Sequence, residues 1–178
     1  RDMDTSHPSG VSLEEFTGAF AAFAILVVYA LLRPELNVAP DMDRTRLTIW
    51  AASLLLIPAL SLYPFRSMSI GVANMAHLFW TFAGLAFLLH AYWAVFVVFN
   101  GIADTFRQMG LGIAGMNFVV TITWAVDILL LWGGGSDSVR FTRAQMTVRA
   151  LVFVVFAVTL AVLRAGSVRG LGIVLIGC

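Results

Sequence analysis

The sequence has no lysine, one cysteine and few charged residues of either sign, and each shortage closes off a class of protein. Charged residues are 12% of the 178, about half the roughly 25% usual in a soluble domain, while 60% are hydrophobic. A chain so poor in charge cannot cover a folded surface with polar side chains, so lipid has to stand where water normally would. The net charge of +1 provides no bulk field to gather nucleic acid or acidic partners, and no nucleic-acid partner is expected. The lone Cys178 excludes an internal disulfide and any four-cysteine zinc or iron–sulfur centre. No HExxH, phosphate loop, CxxCH or nucleophile motif is present, so no catalytic residue, metal site or reaction is assigned. No internal repeat supports an inverted-repeat transporter. All basic residues are arginine, a usage that fits a GC-rich bacterial genome and hence a bacterial cytoplasmic (inner) membrane.

What the sequence does have is long apolar runs. They predict an all-α fold, a polytopic transmembrane helical bundle of about five spanning helices, at about 16–32, 47–63, 72–99, 111–132 and 147–163. The bundle occupies 16–164. Residues 1–15 form a polar N-terminal leader with no signal-peptide pattern, and 165–178 a C-terminal tail or truncated sixth helix. The first span opens on Ser12-Leu13-Glu14-Glu15, a capping box in which Ser12 is the N-cap and Glu15 reaches back. Arg33-Pro34 ends it. Residues 34–45 read as a polar connection, and Trp50 as an interfacial anchor opening the second span. Pro58 falls inside that span and should kink it or open its hydrogen-bond ladder. The third run has no formal charge and exceeds a hydrocarbon core of about 30 Å, so it must tilt or protrude. On the link from Asn100 to Gly110, Asp104 and Arg107 are spaced to pair on a short helix. Gly112, Ala114 and Gly115, near the start of the fourth span, would let a neighbouring helix approach closely. The stretch from Gly133 to Ser138 reads as a flexible turn. With five spans the arginines divide almost evenly between the two sides, which leaves orientation unset.

Polar side chains inside a bilayer need partners, so they are the candidate sites. Antiparallel packing of the third and fourth spans about a turn near Asp104 sets Asp127 level with Thr81, and His90 level with Asn117 and Thr121. Asn117, Thr121, Trp124 and Asp127 fall within an arc of about 120° and form a stripe that should face the protein interior. Such a stripe serves helix–helix hydrogen bonding or, with a histidine, a proton path. His77 and His90 are the only histidines in the apolar runs and suggest haem b or quinone. Thirteen residues apart, they point about 140° away from each other, against the usual two-haem pattern. Trp80, Tyr92, Trp93, Trp124 and Trp132 would line a quinone or lipid site or simply pack, with Trp132 in an interfacial belt. Arg140, Arg143 and Arg149 read as a juxtamembrane basic surface for anionic lipid headgroups, with Arg149 and Arg164 snorkelling to the two interfaces.

Three functions follow as expectations. The leading one is a non-catalytic structural or anchoring subunit of a larger membrane complex, with membrane lipids and other membrane subunits as partners. The second is an electron-transfer subunit holding haem b or quinone at His77 and His90. The third is a small transporter, channel or proton path using Asp127.

Overall fold

The computed structural model describes residues 10–36, 38–133 and 139–161. Among these it has five α-helices and no strand: α1 (Leu13–Leu32), α2 (Pro40–Leu62), α3 (Ile70–Tyr92), α4 (Ile102–Trp132) and α5 (Val139–Ala161). The first four, with the turns that extend α2 to Phe65 and α3 to Val98, are long and apolar enough to cross a membrane. The expected fifth span, 147–163, runs beyond the last described residue, Ala161. The leader up to residue 9, most of the 133–138 turn and the 165–178 tail also lie outside the described residues.

α1 begins where the sequence signal places it. The Glu15 amide donates to Ser12 Oγ at 3.1 Å, and Glu15 Oε2 accepts from the Ser12 amide at 2.9 Å. Both halves of the capping box therefore exist. The expected polar connection 34–45 is a correction: α2 starts at Pro40, seven residues earlier than the apolar run. Proline at the first helical position costs no hydrogen bond, and Asp41 and Asp43 favour the positive end of the helix dipole. Arg44 pairs with Asp41 at 2.9 Å and Arg46 with Asp43 at 3.3 Å, one turn on in each case. Trp50 consequently sits in the third turn of α2, half-buried, and does not open the helix. α2 runs through Pro58 as continuous helix.

α2 and α3 form the most extensive interface, through faces rich in alanine. Ala51, Ala52 and Ala59 on α2, and Ala73, Ala76, Ala83 and Ala86 on α3, are all nearly inaccessible. Small side chains let the backbones approach, and this is how helices associate in lipid, where apolar burial alone drives nothing. α1 attaches through aromatics. Phe16, Phe20 and Phe23, spaced four and three apart, place their rings 6.0, 5.9 and 5.1 Å from that of Phe82 on α3.

α3 ends differently from a single long span. After Tyr92 it loosens into a π-helical turn, Trp93–Val98. The chain then reverses through Asn100 (φ 58°) and Gly101 (φ 120°). Arg107 and Asp104 form the expected pair on the next turn of helix. At Gly110 (φ 78°, ψ 158°) α4 breaks, just before the apolar run that begins at Leu111. That conformation is open to glycine and strained for other residues. Gly110→Ala is expected to cost about 1–2 kcal/mol in reversible detergent unfolding. An unchanged midpoint would mean that the break is not a fixed feature of the fold.

Because the connections are short, successive helices alternate in direction. The starts of α1, α3 and α5 meet the ends of α2 and α4 at one end of the bundle, here the near end. His90 and Arg44 mark the far end. The His90 Nδ1 lies 2.8 Å from the Thr45 carbonyl, which makes Nδ1 the protonated nitrogen. The Arg44 guanidinium lies 5.0 Å from the Trp93 ring and donates from Nε to the Leu31 carbonyl at 3.3 Å.

Candidate functional site

The polar residues of the near end converge between α2, α3, α4 and α5. The anchor is Asp127 on α4, only 3% exposed. Trp80 Nε1 on α3 donates to Asp127 Oδ2 at 2.8 Å. The antiparallel register inferred from the sequence put Asp127 level with Thr81, one residue from its actual partner. Trp132, near the end of α4, donates to the Thr81 hydroxyl at 2.8 Å, and that hydroxyl donates to the His77 carbonyl at 2.8 Å. Trp132 remains 44% exposed, as an interfacial residue should.

The stripe on α4 faces inward unevenly. Trp124 and Asp127 are buried, whereas Asn117 and Thr121 are half-buried. The Thr121 hydroxyl bonds back to the Asn117 carbonyl at 2.7 Å and so satisfies itself within the helix. Trp124 instead fills the core, with ring centroids 4.8 Å from Trp80, 5.5 Å from Phe87 and 5.8 Å from Phe156 of α5. Its approach depends on Gly84, where a Cβ would lie 2.9 Å from Trp124 Nε1. Sequence reasoning passed over Gly84, because a close approach has no signature in a run that is apolar throughout.

The structure does not bring the two histidines together. They lie on one regular helix, about 20 Å apart along its axis. His77 is buried, 1% exposed. His90 is half-buried against Phe87, with ring centroids 5.8 Å apart, and bonded to Thr45. No cluster of three or more metal-ligating side chains occurs among the described residues.

The expected basic surface divides. Arg143 is exposed, the Arg140 side chain and the whole of Arg164 lie outside what is described, and Arg149 is buried at 5%. Arg149 does not snorkel. Its guanidinium carbon sits 4.0 Å from the centre of the Tyr63 ring and 5.3 Å from that of Trp80. Aromatic faces offer a cation partial compensation that lipid cannot, which draws the side chain inward. Arg66 approaches the same Tyr63 ring at 4.1 Å and donates from Nη1 to the Tyr63 carbonyl at 3.1 Å. Arg149 and Asp127 interact electrostatically, but no ion pair between them occurs among the described residues.

Glu15, read from the sequence as a helix-start charge, has a second task. The Asn74 amide of α3 donates to Glu15 Oε2 at 3.1 Å, and Asn74 is 1% exposed. The α1 cap is thereby tied to the bundle.

α4 also has an outer face. Gly112, Gly115, Val119, Ile122, Val126 and Leu129 repeat at alternating intervals of three and four residues. The four large residues of this seam are 47–71% exposed, and nothing lies within 4 Å of where a Cβ would stand on either glycine.

Compared with known protein families, characterised proteins and solved structures, the chain matches none.

Proposed function

We propose that this protein is a non-catalytic helical subunit of a larger membrane assembly, which meets its partner along the outer seam of α4. The observation that carries this reading is the pair of glycines at the head of that face, Gly112 and Gly115, followed by large apolar residues that stay exposed along its whole length. Small residues on a membrane helix let a second helix approach closely. Glycine in a helix interior costs up to about 1 kcal/mol relative to alanine unless close approach returns it. Among the described residues no helix packs against Gly112 or Gly115. A partner helix would.

The seam is apolar, so the partner is another membrane helix. Arginine-only basic usage favours a bacterial inner membrane as the setting. Among the described residues no hydrogen bond links the Asn117 or Thr121 side chain to Asp127, so the stripe adds no support to a proton path.

Native mass spectrometry after extraction in mild detergent tests the proposal. The expected result is a species heavier than the single chain that reverts to monomer in Gly115→Leu. A stable monomer from the untreated membrane would refute it.

A further inference from the structure

Arg149 is the least compensated group in the described structure. Its side chain is 95% removed from solvent, taking the residue's 5% exposure, yet Nε, Nη1 and Nη2 all lack a hydrogen-bond partner. One turn earlier on the same face of α5, Gln145 is 3% exposed, and its Nε2 is also unpartnered. A guanidinium has five N–H donors in a rigid fork and an amide nitrogen two more, so a dense set of donors is left unfilled. Burying a charge without hydrogen bonds is among the costlier arrangements a fold can hold. The neighbours explain why no acceptor among the described residues closes it. Asp127 is turned to Trp80, and the Tyr63 and Trp80 rings offer π-faces only. Arg66 stands at the same Tyr63 ring and acts electrostatically on Arg149, so this cluster holds two guanidinium groups and the single carboxylate of Asp127, an excess of one positive charge.

We propose that Arg149, with Gln145 and Arg66, forms a binding site for a phosphate-type oxyanion at the near end of the bundle. A tetrahedral oxyanion suits the fork of Arg149, which binds two oxygens at once, and the amide of Gln145 reaches a third. One negative charge balances the excess. Arg149 lies six residues into the bundle from the exposed Arg143, about 9 Å along the axis, a depth at which either a lipid headgroup phosphate or a free anion meets the protein. The site is separate from the outer seam of α4 and does not depend on the partner proposed above.

The test uses the full chain in detergent and in nanodiscs. Inorganic phosphate is titrated calorimetrically in detergent. Retained phospholipid is counted by native mass spectrometry from nanodiscs of phosphatidylcholine with and without phosphatidylglycerol. Arg149→Gln should weaken binding about tenfold or more, since bidentate charge-assisted bonds are the strong ones. Arg149→Lys should recover only part of it, and Arg143→Gln, on the exposed surface, should bind as the parent does. Circular dichroism identifies any variant that has lost its helices, and Gln145→Leu provides a second, uncharged probe of the same donors with a severalfold loss expected. Binding of inorganic phosphate identifies a free anion as the occupant, and retention of phosphatidylglycerol alone identifies a headgroup; both support the site. Binding of neither, or equal losses in Arg149→Gln and Arg143→Gln, would overturn it.

Discussion

Gly84→Leu is expected to keep α4 from seating on α3 and to cause the largest loss of stability of any single substitution in the bundle. A Cβ at position 84 would stand 2.5 Å from Ile128 Cδ1, 2.9 Å from Trp124 Nε1 and 3.1 Å from Trp124 Cε2. The Ile128 methyl ends a flexible side chain and can swing away. Trp124 cannot, because Trp80, Phe87 and Phe156 hold its ring on three sides. Even Gly84→Ala should therefore cost about 1–3 kcal/mol, the usual range for an overpacked core. The leucine adds three further carbons to the same clash. Tryptophan fluorescence during unfolding in mixed micelles measures the loss. Gly18→Leu is the control: that glycine is exposed on α1, and a Cβ there meets nothing within 4 Å, so the midpoint should stay within error. Equal effects at the two positions would show that the α3–α4 contact is not a tight one.

The second large effect belongs to Asp127→Ala. It removes the acceptor of Trp80 Nε1 and also the only carboxylate among the described residues that interacts electrostatically with Arg149. One buried donor, Trp80 Nε1, is then stranded, and the buried guanidinium of Arg149 loses a nearby negative charge. A typical interhelical hydrogen bond in a membrane contributes about 0.6 kcal/mol. A buried donor left without its acceptor costs more, about 1–3 kcal/mol, because nothing in the core replaces it. We expect a loss of about 2 kcal/mol for Asp127→Ala and about 1 kcal/mol for Trp80→Phe, which removes the donor as well as a little ring area. Asp127→Asn keeps an acceptor oxygen and should cost less than alanine. The double variant Trp80→Phe with Asp127→Ala should cost clearly less than the two single losses together, since both break the same bond. Strict additivity would mean that the Trp80–Asp127 contact contributes nothing of its own.

Much of the bundle can be read from the sequence because lipid imposes simple rules on it. Apolar runs locate the helices, the Ser12–Glu15 spacing marks the start of α1, and short links force neighbouring helices antiparallel. That direction alone brought Asp127 to within one residue of Trp80. The misreadings share two causes. Charge reads as the end of a helix, so 34–45, with Asp41, Asp43 and Arg44, reads as a loop although Pro40 and the two acids are a helix-start signal. Arg149 was sent outward by the general behaviour of long cations in membranes. Its real position depends on Tyr63 and Trp80, residues 86 and 69 positions away in the chain, and no local pattern reports such a meeting. Gly84 has the same character. What makes it indispensable is the shape of Trp124 on another helix, not its own neighbours.

The outer seam of α4 is the part of the molecule on which its proposed role turns, and spin-label accessibility tests it most directly. With Cys178→Ser as background, single cysteines at Gly115, Val119 and Ile122 carry the label in the membrane where the protein is naturally made. Val28, 52% exposed on α1, supplies the lipid-facing reference. The prediction is that the three α4 positions are shielded from both oxygen and a water-soluble nickel complex, as under a partner helix, while Val28 is open to oxygen. Oxygen access at Gly115 and Ile122 equal to that at Val28 would mean that only lipid covers the seam, and the subunit role would fall.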